Sequence, residues 1–90
     1  MATSVVKVLE NSATKWAVAL RVAKIFIDHP ENIKVKVSKK TITIRSQIEK
    51  DSKISYLKRE VQIPPDVNQK TLGVEALRDE LSLVLRCNKF

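Results

Sequence analysis

The sequence predicts an all-β fold, an antiparallel β-sandwich of about seven strands with no long helix, and three observations lead to it. Runs in which apolar and polar residues alternate follow one another from Trp16 to Leu85, and such alternation is typical of half-buried strands. β-Branched residues, which favour strands, are frequent in these runs. Prolines and short polar clusters separate the runs, as expected for turns. A chain of 90 residues is long enough for one domain.

The middle of the chain predicts a hairpin followed by a long strand. Residues 33–37 alternate strictly between apolar residues and lysines, and residues 41–45 alternate again after the short polar turn 38–40. Residues 47–53 are polar and predict a loop. Residues 54–63 are extended, and Pro64-Pro65 ends that strand because neither proline can donate a hydrogen bond to a neighbouring strand.

The last third predicts two further strands. Residues 66–70 continue as a polar connection, residues 74–77 form a short strand, and residues 78–80 form a tight turn before a final strand at 81–85. The first third is ambiguous, because residues 16–22 alternate like a strand but also place Trp16 and Leu20 on one helical face. Residues 25–32 contain Pro30 and polar residues and predict mainly a connection.

Composition excludes several classes of protein. One cysteine, Cys87, cannot form an internal disulfide or a Cys-rich zinc site. One glycine argues against a phosphate-binding loop, and His29 is expected to be a solvated loop residue. We find no catalytic constellation, so we expect no enzyme, no cofactor and no metal. The first ten residues lack the apolar core of a signal peptide and no stretch suggests a membrane span, so we expect a cytoplasmic protein with no membrane partner.

The formal net charge of +7 raises the question of an anionic partner. The lysines are spread over the whole length with no run of four basic residues, which favours scattered surface charge. Tyr56 with Lys53, Lys58 and Arg59 would form a platform for single-stranded nucleic acid, but only 4% of the residues are aromatic. We therefore do not expect nucleic acid as a partner, and a basic nucleic-acid-binding β-domain stays as an alternative.

The order of these features resembles the α-crystallin domain of the small heat-shock proteins, the HSP20-like family. Residues 16–22 resemble its opening strand, which favours strand over helix there, and Phe26 with residues 30–37 resembles the segment that follows. The closest match is Arg59-Glu60-Val61-Gln62-Ile63-Pro64-Pro65-Asp66-Val67, and residues 74–76 and 81–83 resemble the last two strands. The resemblance covers residues 15–86 and implies an immunoglobulin-like β-sandwich.

Three departures from the family pattern stand out. The family's Ala-x-x-x-x-Gly-Val-Leu stretch is reduced here to residues 76–81, with Leu81 where the family has glycine, so the hairpin is expected to be shorter. Only about 14 residues (1–14, a short arm or edge strand) precede the domain, and only a short end (87–90) follows it, without the family's Ile-x-Ile tail. Because family members use those extensions for large assemblies, the resemblance implies a dimer or a small oligomer here.

The resemblance also implies two binding surfaces. A peptide groove would be flanked by Val35, Val37, Val74 and Ala76. A dimer interface would follow one long edge strand through Ile54, Tyr56, Leu57, Arg59 and Val61, with Arg59 paired to an acidic residue across the two-fold axis. The loop at 47–53 is too short to carry a swapped strand, at about 3.3–3.6 Å per residue.

The short N-terminal segment has two interpretations. Val6 and Val8 have the apolar-x-apolar spacing of a groove ligand, in cis or from a neighbouring chain, but residues 5–9 also suit an edge strand, which we favour. The resemblance implies an ATP-independent, stress-response chaperone that binds unfolding proteins and its own copy, with weak holdase activity. An adaptor that binds a specific folded partner is the other alternative.

Overall fold

The computed structural model describes residues 6–90, which form two antiparallel sheets that face each other. The first sheet has the strand order β1-β2-β7-β6 and the second has the order β3-β4-β5. The seven strands of the described residues are β1 (Val6–Asn11), β2 (Lys15–Arg21), β3 (Lys34–Ser38), β4 (Thr41–Lys50), β5 (Lys53–Gln62), β6 (Val67–Leu77) and β7 (Ser82–Lys89). The predicted all-β antiparallel sandwich is confirmed.

The core lies between the sheets because each strand turns alternate residues inward. Its buried side chains come from both sheets and from the short segment between β2 and β3, and include Trp16, Val18, Leu20, Phe26, Ile27, Ile42, Ile44, Ile48, Leu57, Val61, Leu83, Leu85 and Cys87. The segment after β2, predicted as a connection, contains a four-residue helix α1 (Lys24–Ile27) and a 3-10 turn (Pro30–Asn32). Phe26 and Ile27 of α1 close one end of the core.

The predicted loop at 47–53 was wrong, because β4 continues to Lys50 and β5 begins at Lys53. The inward alternation of β4 extends through Ile48, which is buried, and this packing keeps the polar residues around it in the strand. Asp51 and Ser52 make the whole turn, and both have left-handed backbone angles, φ 52° and φ 63°. Two such residues are the requirement of the tightest hairpin turns.

The predicted connection at 66–70 and the short strand at 74–77 belong to one strand, β6. Its pairing with β7 is interrupted between Asn68 and Gly73, where the extra residues of β6 bulge out. The Thr71 hydroxyl holds this bulge: it donates to the Asn68 carbonyl and accepts from the Asn88 amide, each at 2.7 Å. A polar sequence can therefore stay in a strand when side chains satisfy the backbone at the irregularity.

The hairpin between β6 and β7 has Leu81 where the family has a glycine. Leu81, the residue in that position, adopts a left-handed angle of φ 50°, a conformation that glycine takes at no steric cost. Its carbonyl accepts a hydrogen bond from the Val22 amide at 2.9 Å, and its amide donates to the Arg78 carbonyl at 3.3 Å. These two contacts fix Leu81 in the strained conformation.

The C-terminal end differs from the prediction, whereas the N-terminal segment forms the edge strand that was favoured. β7 extends to Lys89, so Cys87–Lys89 is part of the sandwich and not a separate end. Val6–Asn11 is an edge strand paired with β2, as favoured for this segment, while Val5 lies outside the described residues. Among the described residues the longest α-helix has four residues, far fewer than a helix needs to cross a bilayer.

Candidate protein-binding surfaces

An apolar cleft lies where the edge strands of the two sheets, β3 and β6, meet. Val35 of β3 and Val74 and Ala76 of β6 line it, together with Pro30, Ile33 and Leu83, around a volume of about 200 Å³. Every lining side chain is apolar. Val35 and Val74 remain 38% and 40% exposed, respectively, which is unusual for valines on the inner face of a sandwich. The cleft is therefore an accessible extension of the core.

Three of the four predicted groove residues come together in this cleft. Val37 lies on the same inner face of β3, opposite Ile42, and is 37% exposed, but it is not part of the lining. The sequence analysis missed Pro30, Ile33 and Leu83. Pro30 lies in the segment predicted as a connection, whereas Ile33 and Leu83 were assigned only to the strands predicted at 33–37 and 81–85.

The predicted groove ligand lies elsewhere in the structure. Val6 pairs with Leu20 and Val8 with Val18, at the edge of the first sheet opposite from β6. The cis arrangement proposed for Val6 and Val8 is therefore not the one adopted, because pairing with β2 satisfies the backbone of β1. Val8 is 59% exposed and Leu9 also remains accessible.

The second surface is the free edge of β5, which pairs only with β4 among the described strands. Ile54 and Tyr56 lie on the outer face of this strand and are about two-thirds exposed, 63% and 59%. Leu57 and Val61 face the core and are buried, at 2% and 4%. Their side chains cannot form the predicted dimer interface, since period-two alternation places them on the opposite face from Ile54 and Tyr56; only their backbone lies along the edge.

Arg59 occupies an inward-facing position between these two buried residues, as its parity predicts. It lies opposite Ile44 of β4 and is half-buried. Its guanidinium Nη1 donates to the Lys58 carbonyl at 2.9 Å. None of residues 6–90 places a carboxylate within ion-pair distance of Arg59. A half-buried cation that contacts one carbonyl leaves most of its donors to water or to another chain.

No three His, Cys, Asp or Glu side chains among residues 6–90 converge in a metal-binding arrangement. The thiol of Cys87 is 3% exposed, and burial raises its pKa, which suppresses the reactive thiolate. His29 Nδ1 lies 3.4 Å from Glu31 Oε1 at the surface. These groups fit structural or solvated positions.

Comparison with known proteins found no matching family model and no matching curated protein, whereas solved structures do match. Stress-induced protein 1 from Caenorhabditis elegans is 26% identical, with a TM-score of 0.66 over 92% of this chain and 84% of that chain. The fold is that of an α-crystallin domain. Heat shock protein 16.0 from Schizosaccharomyces pombe superposes with a TM-score of 0.73 at 11% identity, over 99% of this chain and 68% of that one. A small heat-shock protein from Xylella fastidiosa gives 0.71 at 12% identity, over 98% and 86%.

These likenesses show that the chain has the α-crystallin-type β-sandwich fold. By their names, the neighbours are a stress-induced protein, a heat shock protein and a small heat-shock protein. The α-crystallin-like architecture also accounts for the two surfaces described above, since both are strand edges that a sandwich of two open sheets leaves unpaired.

Proposed function

We propose that this α-crystallin-like domain is an ATP-independent protein-binding module that holds unfolding proteins weakly and forms a dimer with its own copy. The observation that supports it most directly is the cleft between β3 and β6, lined only by apolar side chains and bordered by two strand edges. An extended segment that adds to a strand edge gains backbone hydrogen bonds, while alternate side chains enter the adjacent pocket.

The size of the cleft sets the strength of this activity. A volume of about 200 Å³ accepts only a few client side chains, so each contact with an unfolding chain is weak. We expect suppression of aggregation only when the domain is present at near-stoichiometric amounts. Binding is passive, because association with exposed apolar segments needs no chemical step.

The cleft can be tested by making it polar. In an aggregation assay with a thermally unfolding client, the variant Val35→Ser/Val74→Ser is expected to lose most of its suppression. Val8→Ser is the matched control, because Val8 is more exposed than either residue and lies on the distant β1 edge. Equal activity of the cleft variant and the wild type, with circular dichroism showing both folded, would overturn the cleft as the client site.

The proposed dimer forms through β5. Repulsion between like charges disfavours several of the registers in which β5 could pair with its own copy. In an antiparallel pair, directly opposite residues lie on the same face. A two-fold axis through Lys58 or Arg59 would place that cation against its own copy. An axis through Tyr56 would place Arg59 against the partner's Lys53. Like charges directly opposite one another destabilise a sheet, so these three registers are disfavoured.

An axis through Leu57 is disfavoured for a different reason. It would place Tyr56 opposite the partner's Lys58 and Ile54 opposite the partner's Glu60. The two most exposed apolar side chains of the strand would then meet charged groups and stay accessible to water. This register removes little apolar surface from solvent.

An axis through Ser55 avoids the opposed like charges described above and also covers the exposed apolar side chains. It places Ile54 opposite the partner's Tyr56, so the exposed apolar residues cover each other on the outer face. On the inner face it brings Arg59 level with the partner's Asp51 in the hairpin turn, which supplies the carboxylate that the guanidinium lacks within one chain. We therefore propose a β5–β5 dimer centred on Ser55, with the family's arginine interaction made to Asp51.

Cross-linking tests this register. Ser55→Cys in a Cys87→Ala background is expected to form a disulfide-linked dimer, because opposite Cα atoms in an antiparallel pair are about 4.5–5.5 Å apart, within the range of a disulfide. Ser38→Cys on β3, in the same background, is the control and is expected to form no disulfide-linked dimer after oxidation. A dimer that forms without linkage through residue 55 would refute the register.

The ion pair is tested separately by a double-mutant cycle. Asp51→Asn and Arg59→Gln are each expected to weaken the dimer by about 1 kcal/mol per pair, since the guanidinium is half-exposed. The double variant should lose no more than either single variant. Independent, additive losses in sedimentation equilibrium would show that the two side chains do not interact.

A further inference from the structure

Three cations form a row across the outer face of the β3-β4-β5 sheet, the face turned away from the core. Lys34 of β3 lies directly opposite Arg45 of β4, and Arg45 lies directly opposite Lys58 of β5. Neighbouring strands are about 4.8 Å apart, so three exposed positive side chains leave the sheet from adjacent positions. We call this the basic row.

Two of the three cations in the basic row have no ion-pair partner among residues 6–90. Lys58 Nζ lies 3.6 Å from Glu60 Oε1, while neither Lys34 nor Arg45 has a carboxylate of residues 6–90 within ion-pair distance. Like charges placed directly opposite one another destabilise a sheet. An anion bound across the row would remove that repulsion, which makes the row a site that favours a ligand with repeated negative charges.

A cleft next to the row provides neutral contacts for such a ligand. Lys34 and Arg45 line it together with Gln47 and Tyr56, and its volume is about 450 Å³. Tyr56 lies opposite Gln47 on the same outer face as the row and keeps 59% of its surface exposed. Asn32, Ser46 and Glu31 complete the lining, and Glu31 Oε1 is 3.4 Å from His29 Nδ1.

We propose that the outer face of this sheet binds single-stranded nucleic acid, with the basic row on backbone phosphates and Tyr56 stacked on a base. Cations that track a backbone beside an exposed aromatic ring on an open sheet are the two parts that such binding needs. An acidic peptide would use the cations but would gain nothing from the ring. This proposal does not use the cleft between β3 and β6, but it shares Tyr56 with the proposed β5–β5 dimer, so nucleic acid and the dimer partner are expected to compete for that side chain.

The structure also changes which residues belong to this site. Lys58 and Tyr56 share the outer face, but Arg59 points to the inner face and Lys53 is at the hairpin tip. Arg45 and Lys34 replace them. Sequence alone does not bring these residues together, because their neighbourhood depends on the register of three strands.

The first test is the salt dependence of binding to a fluorescein-labelled single-stranded thymidine oligonucleotide, followed by fluorescence anisotropy. Three phosphate contacts predict a slope of log K against log salt concentration of about −2, since each contact on a single strand contributes about −0.7. The variant Lys34→Gln/Arg45→Gln is expected to reduce the slope to about −0.7. Neither substitution touches the core or the β5 edge.

The matched control is Lys7→Gln/Lys70→Gln, which removes the same net charge from exposed positions outside the sheet that carries the row. It is expected to leave the slope within about 0.3 of the wild-type value. Equal losses in the two double variants would show that binding reflects diffuse net charge and would overturn the site. Absence of binding at low salt would overturn it as well.

The last comparison separates nucleic acid from an acidic protein. Tyr56→Leu is expected to weaken oligonucleotide binding by about fivefold or more through loss of stacking, whereas Tyr56→Phe should bind like the wild type. Polyglutamate of matched charge should bind more weakly than the oligonucleotide and should not respond to either substitution. Equal binding of polyglutamate, or no difference between the two Tyr56 variants, would refute a nucleic-acid site.

Discussion

Replacing Ser52 by glycine is expected to stabilise the domain, because Ser52 holds the second position of the β4–β5 turn at φ 63°. A left-handed conformation costs a residue with a side chain about 1–2 kcal/mol, and glycine relieves that cost. Glycine in turn loses more backbone entropy on folding, which returns about 0.5–1 kcal/mol. Ser52 is exposed and buries nothing, so the net gain should be about 0.5–1 kcal/mol.

Thermal and urea denaturation measure this gain. For a domain of this length, 1 kcal/mol shifts the melting temperature by about 4–8 °C, so Ser52→Gly should raise it by several degrees with an unchanged urea m-value. Ser38→Gly on β3 is the matched control, since Ser38 is an exposed serine within a strand. That variant should lose about 0.5–1 kcal/mol.

The two glycine variants must therefore change stability in opposite directions. If Ser52→Gly lowers the melting temperature as much as Ser38→Gly does, the two-residue turn does not exist and β5 does not start at Lys53. That result would also contradict the proposed dimer, because a longer connection would move Asp51 away from the position that faces the partner's Arg59.

Other expectations follow from single side chains. Ser46 is 2% exposed and its hydroxyl has no hydrogen-bond partner among residues 6–90, so Ser46→Ala should raise the free energy of unfolding by about 1 kcal/mol in urea; a loss of similar size would mean that the hydroxyl is satisfied. Thr71→Val should release the bulge of β6 and speed hydrogen exchange at the Asn88 amide, and unchanged exchange there would argue against the hydroxyl bridge. Burial raises the pKa of the Cys87 thiol, so its contribution to stability is present below the pKa of the unfolded thiol and lost as pH rises through the folded value. Unfolding measured from neutral to alkaline pH should show that loss in the wild type and a smaller one in Cys87→Ala, and identical profiles would contradict it.

The sequence predicts the fold well where one face of a strand is buried. The predicted strands at 16–22 and 33–37 lie within one residue of β2 and β3, and the one at 41–45 begins where β4 begins but ends five residues too early. In β4 the alternation reflects burial directly. The predictions failed where polar residues stay in strands for tertiary reasons. Residues 47–50 are held by the packing of Ile48. Residues 67 and 68 are held by pairing with β7, and the bulge that follows is held by the hydroxyl of Thr71.

The sequence also predicted the candidate sites only in part, because tertiary contacts decide which of their residues meet. Parity placed Arg59 on the inner face with Leu57 and Val61, but the sequence could not show that those two side chains are fully used by the core. It placed Val35 and Val74 at one groove by resemblance alone, since nothing local connects β3 with β6. The basic row went unseen for the same reason: its residues are neighbours only through strand register.

The pairing of β2 with β7 has a consequence for how the molecule folds. The pairs β1–β2, β3–β4, β4–β5 and β6–β7 join strands that are consecutive in the chain, whereas β2–β7 sets Trp16 beside Cys87. Local hairpins form within microseconds, but this distant pairing must close a loop that contains four other strands, and such contacts slow folding. We therefore expect the nascent domain to expose the inner face of β2 until β7 is available and to be prone to aggregation during that time.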